Sequence, residues 1–126
     1  MAKRKYTSKA SYISRFVAWI IRTTERKCVY VSGPMTGLPK LNRPTFTRVA
    51  CRLRDQGYTV INPADFPDGV WKTCLIRDLI LLLFFCNKVA FLPKWKKSKG
   101  ATLEIHVAKA LNYRIKPYKY WLTRNK

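Results

Sequence analysis

One glutamate follows a short glycine-containing stretch where the chain is predicted to change from loop to helix. Residues 97–104 read KSKGATLE, and an apolar-periodic run over residues 105–111 continues them as a predicted helix. Gly100 allows close approach of backbone to a ligand, and Glu104 is predicted in the first helical turn. A carboxylate there can face the groove above a sheet, where α/β folds bind ligands. The alternative is that Glu104 only stabilises the helix N-terminus electrostatically.

The composition is typical of one packed domain that carries an extreme positive charge. The chain has 126 residues, 48% of them hydrophobic, and 26 Lys and Arg against 6 acidic residues give a net charge of +20. A chain of this length can bury a core of its own, so we predict a single globular domain. The charge implies attraction to polyanions such as nucleic acid, nucleotides or an anionic membrane.

Residues that could bind a metal or enter a membrane are not arranged for either purpose. The four cysteines show no CxxC spacing, and the single histidine, His106, has no ligand partner nearby in the sequence. We therefore expect no metal, no organic cofactor, and reduced thiols in the cytoplasm. The apolar runs at 16–21 and 79–86 are too short to cross a bilayer, so no membrane span is predicted.

The first 27 residues are predicted to be a basic N-terminal arm and an amphipathic helix. They contain eight Lys and Arg against one Glu, and apolar residues recur at helical spacing between residues 11 and 24. This segment either packs on the body of the protein or binds nucleic acid or acidic lipid. The candidate nucleic-acid contacts are Lys3, Arg4, Lys5, Lys9 and Arg15 here and Lys96, Lys97 and Lys99 in a later loop.

Residues 28–126 are predicted to form one α/β domain in which strands alternate with helices. The predicted strands are 28–32, 58–63, 88–93 and 113–117, and the predicted helices are 45–56, 74–85 and 101–111. The helix at 74–85 is predicted to be buried because it is almost entirely apolar. The expected fold is a small doubly wound three-layer sandwich, Rossmann- or flavodoxin-like, with a parallel sheet of about four to five strands.

In such a sheet the loops that follow the strands meet at one edge. The residues expected around one cleft there are Tyr30, Asn62 with Asp65, Asp78, and the loops 33–42 and 94–104, the second of which ends at Glu104. Cleavage of an N-glycosidic bond needs a carboxylate to capture the oxocarbenium-like sugar and a second acid to help the base leave. Glycine-rich turns and helix N-termini can supply phosphate contacts. The cleft therefore has the side chains that this chemistry requires.

Five motifs occur in order between about residues 28 and 117. They are VYVSGPMTG at 29–37, RLRDQGYTVINP at 52–63, RDL at 77–79, LPKW at 92–95 and SKGATLE at 98–104. Together they resemble the nucleoside 2-deoxyribosyltransferase-like superfamily, and most of all its small phage and prophage branch. The resemblance implies that Glu104 is the nucleophile that takes the deoxyribosyl group. It implies that Asp78 helps the base leave or orients the sugar, and that Tyr30 positions Glu104.

The resemblance also implies the substrate, its contacts and the setting. The residues expected to bind substrate or phosphate are Gly33, Met35, Thr36, Gly37, Asn62, Trp95, Ser98 and Gly100. Deoxynucleosides or their 5′-monophosphates are the expected substrates, and a homodimer is expected in which neighbouring subunits contribute to the cleft. The chain is expected to be phage-encoded and to act in the cytoplasm of a bacterial host. It departs from the monophosphate hydrolases at Thr36 and Pro34, where they have Arg and Ser.

Two functional hypotheses follow from the sequence. The first is an N-glycosidase or 2-deoxyribosyltransferase that forms a covalent ester at Glu104. The second is a basic protein on the same fold that binds nucleic acid or a host factor and has an idle site. The +20 charge favours the second hypothesis, because a small nucleotide-processing enzyme has no evident need for so much positive charge.

Overall fold

The computed structural model describes residues 14–15 and 28–123, and the predicted arm at 1–27 lies outside these residues apart from exposed Ser14 and Arg15. The strands are β1 (Cys28–Ser32), β2 (Thr59–Ile61), β3 (Lys88–Phe91) and β4 (Arg114–Pro117). The helices are α1 (Arg43–Asp55), α2 (Trp71–Phe85), α3 (Lys99–Ala110) and α4 (Tyr118–Thr123). Short 3-10 turns cover Pro39–Asn42, Pro63–Asp65 and Trp95–Lys97.

The four strands form one parallel sheet in the order β2-β1-β3-β4. Val29 of β1 is in register with Val60 of β2, and Tyr30 of β1 is in register with Val89 of β3. The chain therefore leaves β1 toward β2 on one side and returns to β3 on the other, which places the switch in strand order beside β1. The predicted small α/β three-layer, Rossmann-like fold is confirmed.

Side chains of β1 alternate between two separate cores, one on each face of the sheet. Val29 and Val31 pack with residues of α1 and α4, whereas Cys28 and Tyr30 pack with residues of α2 and α3. Every residue of β1 is buried. An unbroken run of buried residues is what a central parallel strand covered on both faces requires. The helices thus form the two outer layers of the sandwich.

All four cysteines are free. Cys28 and Cys86 are buried with their sulfur atoms 3.0 Å apart, whereas Cys51 is exposed and Cys74 is half-buried. Among the described residues there is no group of three side chains that could hold a metal ion. No helix in this part of the chain is long and apolar enough to cross a membrane.

Helix α3 begins at Lys99, two residues before the predicted start, because Ser98 serves as its N-cap. The Ser98 hydroxyl accepts a hydrogen bond of 3.2 Å from the backbone N–H of Ala101. Ser98 is therefore at a preferred capping position for its residue type. As a consequence Glu104 lies in the second turn of α3, and the prediction that it lies in the first turn is wrong.

Helix α2 begins at Trp71, three residues before the predicted start, and the prediction that it is buried is wrong. Only Asp78 and Leu82 of this helix are fully buried. Ile76 and Ile80 are 51% and 46% exposed, although both are apolar. The physical reason is that α2 is an outer-layer helix, so only the face toward the sheet is covered whatever residues stand on the other face.

The C-terminal segment contains a helix that the sequence did not indicate. The predicted strands and helices end at residue 117, yet α4 turns back onto the sheet and buries Trp121. The indole N–H of Trp121 donates a hydrogen bond of 3.1 Å to the backbone carbonyl of Val89. Its ring also packs edge-to-face against Tyr58 at a centroid distance of 5.9 Å. This short helix therefore completes one of the two cores.

We expect Trp121→Ala to lower the free energy of unfolding by about 3–5 kcal/mol, because it removes a buried aromatic ring and a buried hydrogen bond. Urea unfolding followed by circular dichroism measures this change. Trp71→Ala is the matched control, since Trp71 is half exposed and its loss should cost at most about 1 kcal/mol. Equal destabilisation by the two variants would contradict the packing role of α4.

Candidate functional site

A cavity of about 300 Å³ lies beyond the carboxyl ends of β1 and β2, and we call it the acidic cavity because two buried carboxylates line it. These are Asp78 from α2 and Glu104 from α3. The loop after β1 and the N-terminal turn of α3 form much of the remaining wall. This position at the edge of a parallel sheet, beside the switch in strand order, is where α/β folds bind ligands.

The carboxylate of Glu104 is held by two hydroxyl groups of β1. The Tyr30 hydroxyl donates a hydrogen bond of 2.8 Å to Oε2, and the Ser32 hydroxyl donates one of 2.7 Å to Oε1. Because Tyr30 and Ser32 are two residues apart on one strand, both side chains face α3. Glu104 is only 6% exposed, so the alternative of a surface residue that merely favours the helix N-terminus is wrong.

Burial raises the pKa of Glu104 from 4.5 to about 7, and the neighbouring carboxylate of Asp78 adds to this increase. The hydrogen bonds from Ser32 and Tyr30 act in the opposite direction, because they stabilise the ionised form. Burial and the nearby carboxylate of Glu104 raise the pKa of Tyr30 well above 10. Tyr30 therefore stays protonated and keeps donating to Glu104. Glu104 itself changes charge close to neutral pH.

Asp78 is the second buried carboxylate of the acidic cavity, with 8% of its surface exposed. Burial raises its pKa, while the hydrogen bond and the positive charge of Arg77 lower it. The guanidinium of Arg77 contacts Asp78 Oδ1 at 2.9 Å and donates a hydrogen bond of 2.8 Å to the carbonyl oxygen of Pro67. The two carboxylates therefore differ: hydroxyl groups hold Glu104, and an ion pair holds Asp78.

Both arginines that line the acidic cavity are already bound to the protein. Arg77 is engaged by Asp78 and Pro67, and Arg43 donates to the carbonyl oxygens of Ala64 and Phe66. Each guanidinium thus fastens a loop to a helix. Their fixed positions give the wall of the cavity a defined shape, and their donors are largely used.

Several of the residues predicted to bind substrate line this cavity. They are Gly33, Met35, Thr36, Ser98 and Gly100. A side chain at Gly33 would place its Cβ 2.7 Å from the Cβ of Leu92, so only glycine fits there. The reason for glycine at this position is therefore the packing of the loop against β3. Gly100 has no such close neighbour, and a Cβ there would make only ordinary contacts.

Three other predicted contacts do not line the acidic cavity. Gly37 lies at an exposed turn with a φ of +83°, and no other side chain would meet a Cβ there within 4 Å. The Asn62 side chain is buried and is used within a turn, where it accepts from Ala64 N–H and donates to Asp65. Trp95 packs against Phe91 with a centroid distance of 5.7 Å. The tryptophan that does line the cavity is Trp71, which is half exposed.

Ser32 is the residue of the candidate site that the sequence analysis did not single out. A signal for it was present, because it lies two residues after Tyr30 and therefore on the same face of the predicted strand. Its side chain is fully buried and bonded to Glu104, so it belongs to the same group as Tyr30.

A second cavity of about 490 Å³ adjoins the first, and we call it the lysine cavity. Lys94, Lys97 and Lys99 line it, and it shares the residues Thr36, Trp71 and Ser98 with the acidic cavity. Of the candidate nucleic-acid contacts, Lys97 and Lys99 are thus placed together. Lys96 instead lies over the Trp95 ring, 5.7 Å from its centroid. Lys3, Arg4, Lys5 and Lys9 lie outside the described residues, and Arg15 is exposed.

We expect Glu104→Gln to stabilise the protein more at pH 8 than at pH 4.5. Glutamine is neutral at both values, whereas Glu104 must ionise inside the fold as the pH rises through about 7. At pH 4.5 the carboxyl is protonated in the folded chain and half protonated in the unfolded chain, so burial of its charge costs little. Above pH 7 the raised pKa costs the wild type about 3 kcal/mol, from about 1.4 kcal/mol for each unit.

Urea unfolding of the variant and the wild type at both pH values measures this difference in free energy. Asp55→Asn is the control, because Asp55 is exposed on α1 and its substitution should have the same small effect at either pH. A difference between wild type and Glu104→Gln that does not change with pH would contradict the raised pKa.

The sheet and the candidate site lie within a stretch of the chain that matches a known protein family, whose description names no activity. Comparison with curated protein sequences finds no significant match. A family model described as "Domain of unknown function (DUF4406)" matches residues 27–117, from the residue before β1 to the end of β4. Its description does not mention nucleoside deoxyribosyltransferases, so that resemblance stays an interpretation of the motifs. Since the match covers most of the chain, the protein belongs to the DUF4406 family, a family of unknown function.

Proposed function

We propose that the protein is an N-glycosidase or 2-deoxyribosyltransferase that acts on deoxynucleosides or their 5′-monophosphates. One observation carries the proposal: the carboxylate of Glu104 is buried in the wall of the acidic cavity and held through both oxygens by Tyr30 and Ser32. A carboxylate kept in one orientation, next to a second buried acid, is the arrangement used to attack an anomeric carbon. The motif resemblance assigns the same residue as the nucleophile.

In the proposed first step an oxygen of ionised Glu104 bonds to the C1′ carbon of the sugar. The bond from C1′ to the base nitrogen breaks, and the base leaves with that electron pair and takes up a proton. The product is a deoxyribosyl ester of Glu104. In the second step a water molecule attacks C1′ and releases the sugar, or the nitrogen of another base attacks and completes a transfer.

Tyr30 and Ser32 are positioning residues in this mechanism. Their hydroxyl groups fix the plane of the carboxylate before substrate arrives. Their hydrogen bonds weaken as the ester forms, because the negative charge of Glu104 passes to the departing base. Asp78 helps the base leave or orients the sugar. Burial raises its pKa, and its ion pair with Arg77 acts in the opposite direction and fixes its position.

The remaining walls supply surfaces for a base and a phosphate. Trp71 offers an exposed aromatic face beside the acidic cavity, and an aromatic face can stack on a base. Gly100 lines the cavity in the first turn of α3, where unbonded N–H groups of a helix attract anions. The proposed site needs no metal or organic cofactor for these steps. The proposed setting is a phage-encoded enzyme in the bacterial cytoplasm.

A second candidate function is binding of nucleic acid or a host factor with the site idle. The observation that favours it is the net charge of +20, of which the first 27 residues supply seven units. Attraction of this kind depends on charge alone and needs no reaction at Glu104. The enzyme assay below separates the two functions.

We expect the wild type to release free base from at least one of the four deoxynucleosides or their monophosphates, and Glu104→Ala to lose this activity by roughly 10³-fold or more. Chromatography of the free base measures the reaction. An assay at pH 8 keeps Glu104 ionised, because its pKa is about 7. Asp55→Asn is the matched control and should retain full activity, since exposed Asp55 lies on α1 outside the cavity lining.

Full activity of Glu104→Ala would contradict the proposed nucleophile. Absence of release from every substrate by the wild type would contradict the enzyme and favour the second candidate function. Circular dichroism of the variant checks that loss of activity is not loss of fold.

The proposal also includes a homodimer, the partner that the resemblance implies. Its support in the structure is an apolar face on α2, where Ile76 and Ile80 are about half exposed one turn apart, together with Leu103 of α3, which is 41% exposed. Sedimentation velocity should give twice the chain mass of 14.8 kDa for the wild type, and the single mass for Ile76→Asp/Ile80→Asp. A monomeric wild type would contradict the dimer.

A further inference from the structure

The lysine cavity carries positive charge that nothing in the described part of the chain neutralises. Lys94, Lys97 and Lys99 are exposed at its wall, and none of their ammonium groups has an acceptor or an ion-pair partner among residues 28–123. Three ammonium groups around one cavity of about 490 Å³ repel one another. An anionic ligand with several charges would remove this repulsion.

The acidic cavity has the opposite character. Its carboxylates are the buried Asp78 and Glu104 and the exposed Asp68. Its two arginines are bound to protein acceptors, Arg77 to Asp78 and both to loop carbonyls. A ligand that extends through both cavities would therefore keep an uncharged part at Glu104 and its negative charges at the three lysines. The two cavities are adjacent because both are lined by Thr36, Trp71 and Ser98, so one ligand can extend into both.

Three lysines at one cavity indicate a ligand with more than one phosphate. A single phosphate monoester carries at most two negative charges, whereas successive phosphodiesters of a strand carry one charge at each step along its length. The half-exposed ring of Trp71 lies at the junction of the two cavities. Cations along a groove with an exposed aromatic ring are the combination that proteins use to bind single strands, because bases stack on the ring and phosphates follow the cations.

We infer that the substrate of this site is a nucleotide within a single strand of DNA, held by its neighbouring phosphates in the lysine cavity. This inference rests on the proposed function, whose reaction it keeps. Glu104 bonds to C1′ of the nucleotide in the acidic cavity, the bond from C1′ to the base breaks, and the base leaves with a proton. Water then displaces Glu104 from C1′. The products are a free base and an abasic site, and the strand itself stays intact.

A single strand fits this geometry better than a duplex. Glu104 is 6% exposed within the cavity wall, so a base must leave its stack before its sugar can reach the carboxylate. In a duplex this step costs unpairing as well as unstacking, whereas a single strand pays only for unstacking. The double-stranded form of the same sequence is therefore the weaker substrate.

The test compares the full-length protein on a single-stranded DNA of about 12 nucleotides with the matching deoxynucleosides, nucleoside triphosphates and duplex. Free base is measured by chromatography, and abasic sites by alkaline cleavage of an end-labelled strand. The variant Lys94→Gln/Lys97→Gln/Lys99→Gln removes the charge of the lysine cavity. The control Arg48→Gln/Lys109→Gln/Lys119→Gln removes the same charge from exposed positions that line neither cavity.

We expect the strand to be the best substrate. The lysine-cavity variant should lose at least about tenfold more activity on the strand than on deoxynucleosides, and the control variant should lose little on either. Binding of the strand to Glu104→Gln, followed by fluorescence anisotropy, should have a salt dependence whose log–log slope falls by about 2 in the lysine-cavity variant.

Two outcomes would overturn the inference while the proposed function stands. The first is release of base from deoxynucleosides or nucleoside triphosphates that is faster than release from the strand. The second is equal loss of strand activity in the lysine-cavity variant and in the control variant. Release of base from no substrate at all would contradict the proposed function itself and the inference with it.

Discussion

The structure depends on one costly interaction, the burial of the Glu104 carboxylate between α3 and the central strand. A buried carboxylate is tolerated only where donors satisfy its oxygens. Tyr30 and Ser32 supply one donor each, and both belong to β1. Because β1 is bonded to β2 on one side and β3 on the other, its side chains have little freedom to move. The sheet therefore fixes the donors, and the donors fix the carboxylate in the wall of the acidic cavity.

The cavities follow from the same strand. The chain leaves β1 at Gly33, which must be glycine to pass Leu92, and this close passage brings the following loop across the end of the sheet. Arg43 fastens the next loop through the carbonyl oxygens of Ala64 and Phe66. The contact of Gly33 with Leu92 and the hydrogen bonds of Arg43 to backbone carbonyls are present without a ligand. The walls of the acidic cavity are thus held in place by the fold, and the exposed lysines lie outside that fixed region.

Much of the fold was readable from the sequence, because β-branched runs closed by proline or glycine mark parallel strands and apolar residues at helical spacing mark the helices between them. The site was readable in part. Glu104 and Asp78 stand within recognisable motifs. Alternation along the strand places Ser32 on the same face as Tyr30, but its bond to Glu104 depends on how α3 packs on β1, which no local pattern encodes. Trp121 was missed for a similar reason: the ring of Tyr58 that packs against it and the Val89 carbonyl that accepts its hydrogen bond are both more than thirty residues away. Asn62 was predicted to lie in the cleft, but its side chain accepts a hydrogen bond from the backbone N–H of Ala64 in the turn that follows β2.

The four free cysteines differ in exposure, so their reaction with a thiol reagent can report whether the acidic cavity is occupied. Cys74 is half-buried and lines the acidic cavity, whereas Cys51 is exposed on α1, and Cys28 and Cys86 are buried in the core that α2 and α3 cover. A small thiol reagent reaches cysteines according to their exposure. Occupation of the cavity would shield Cys74 and leave Cys51 open, so the ratio of the two labels reports occupancy within a single sample. A compound that covers Cys74 in the cavity can thus be detected without knowledge of the reaction, and without any change to the natural sequence.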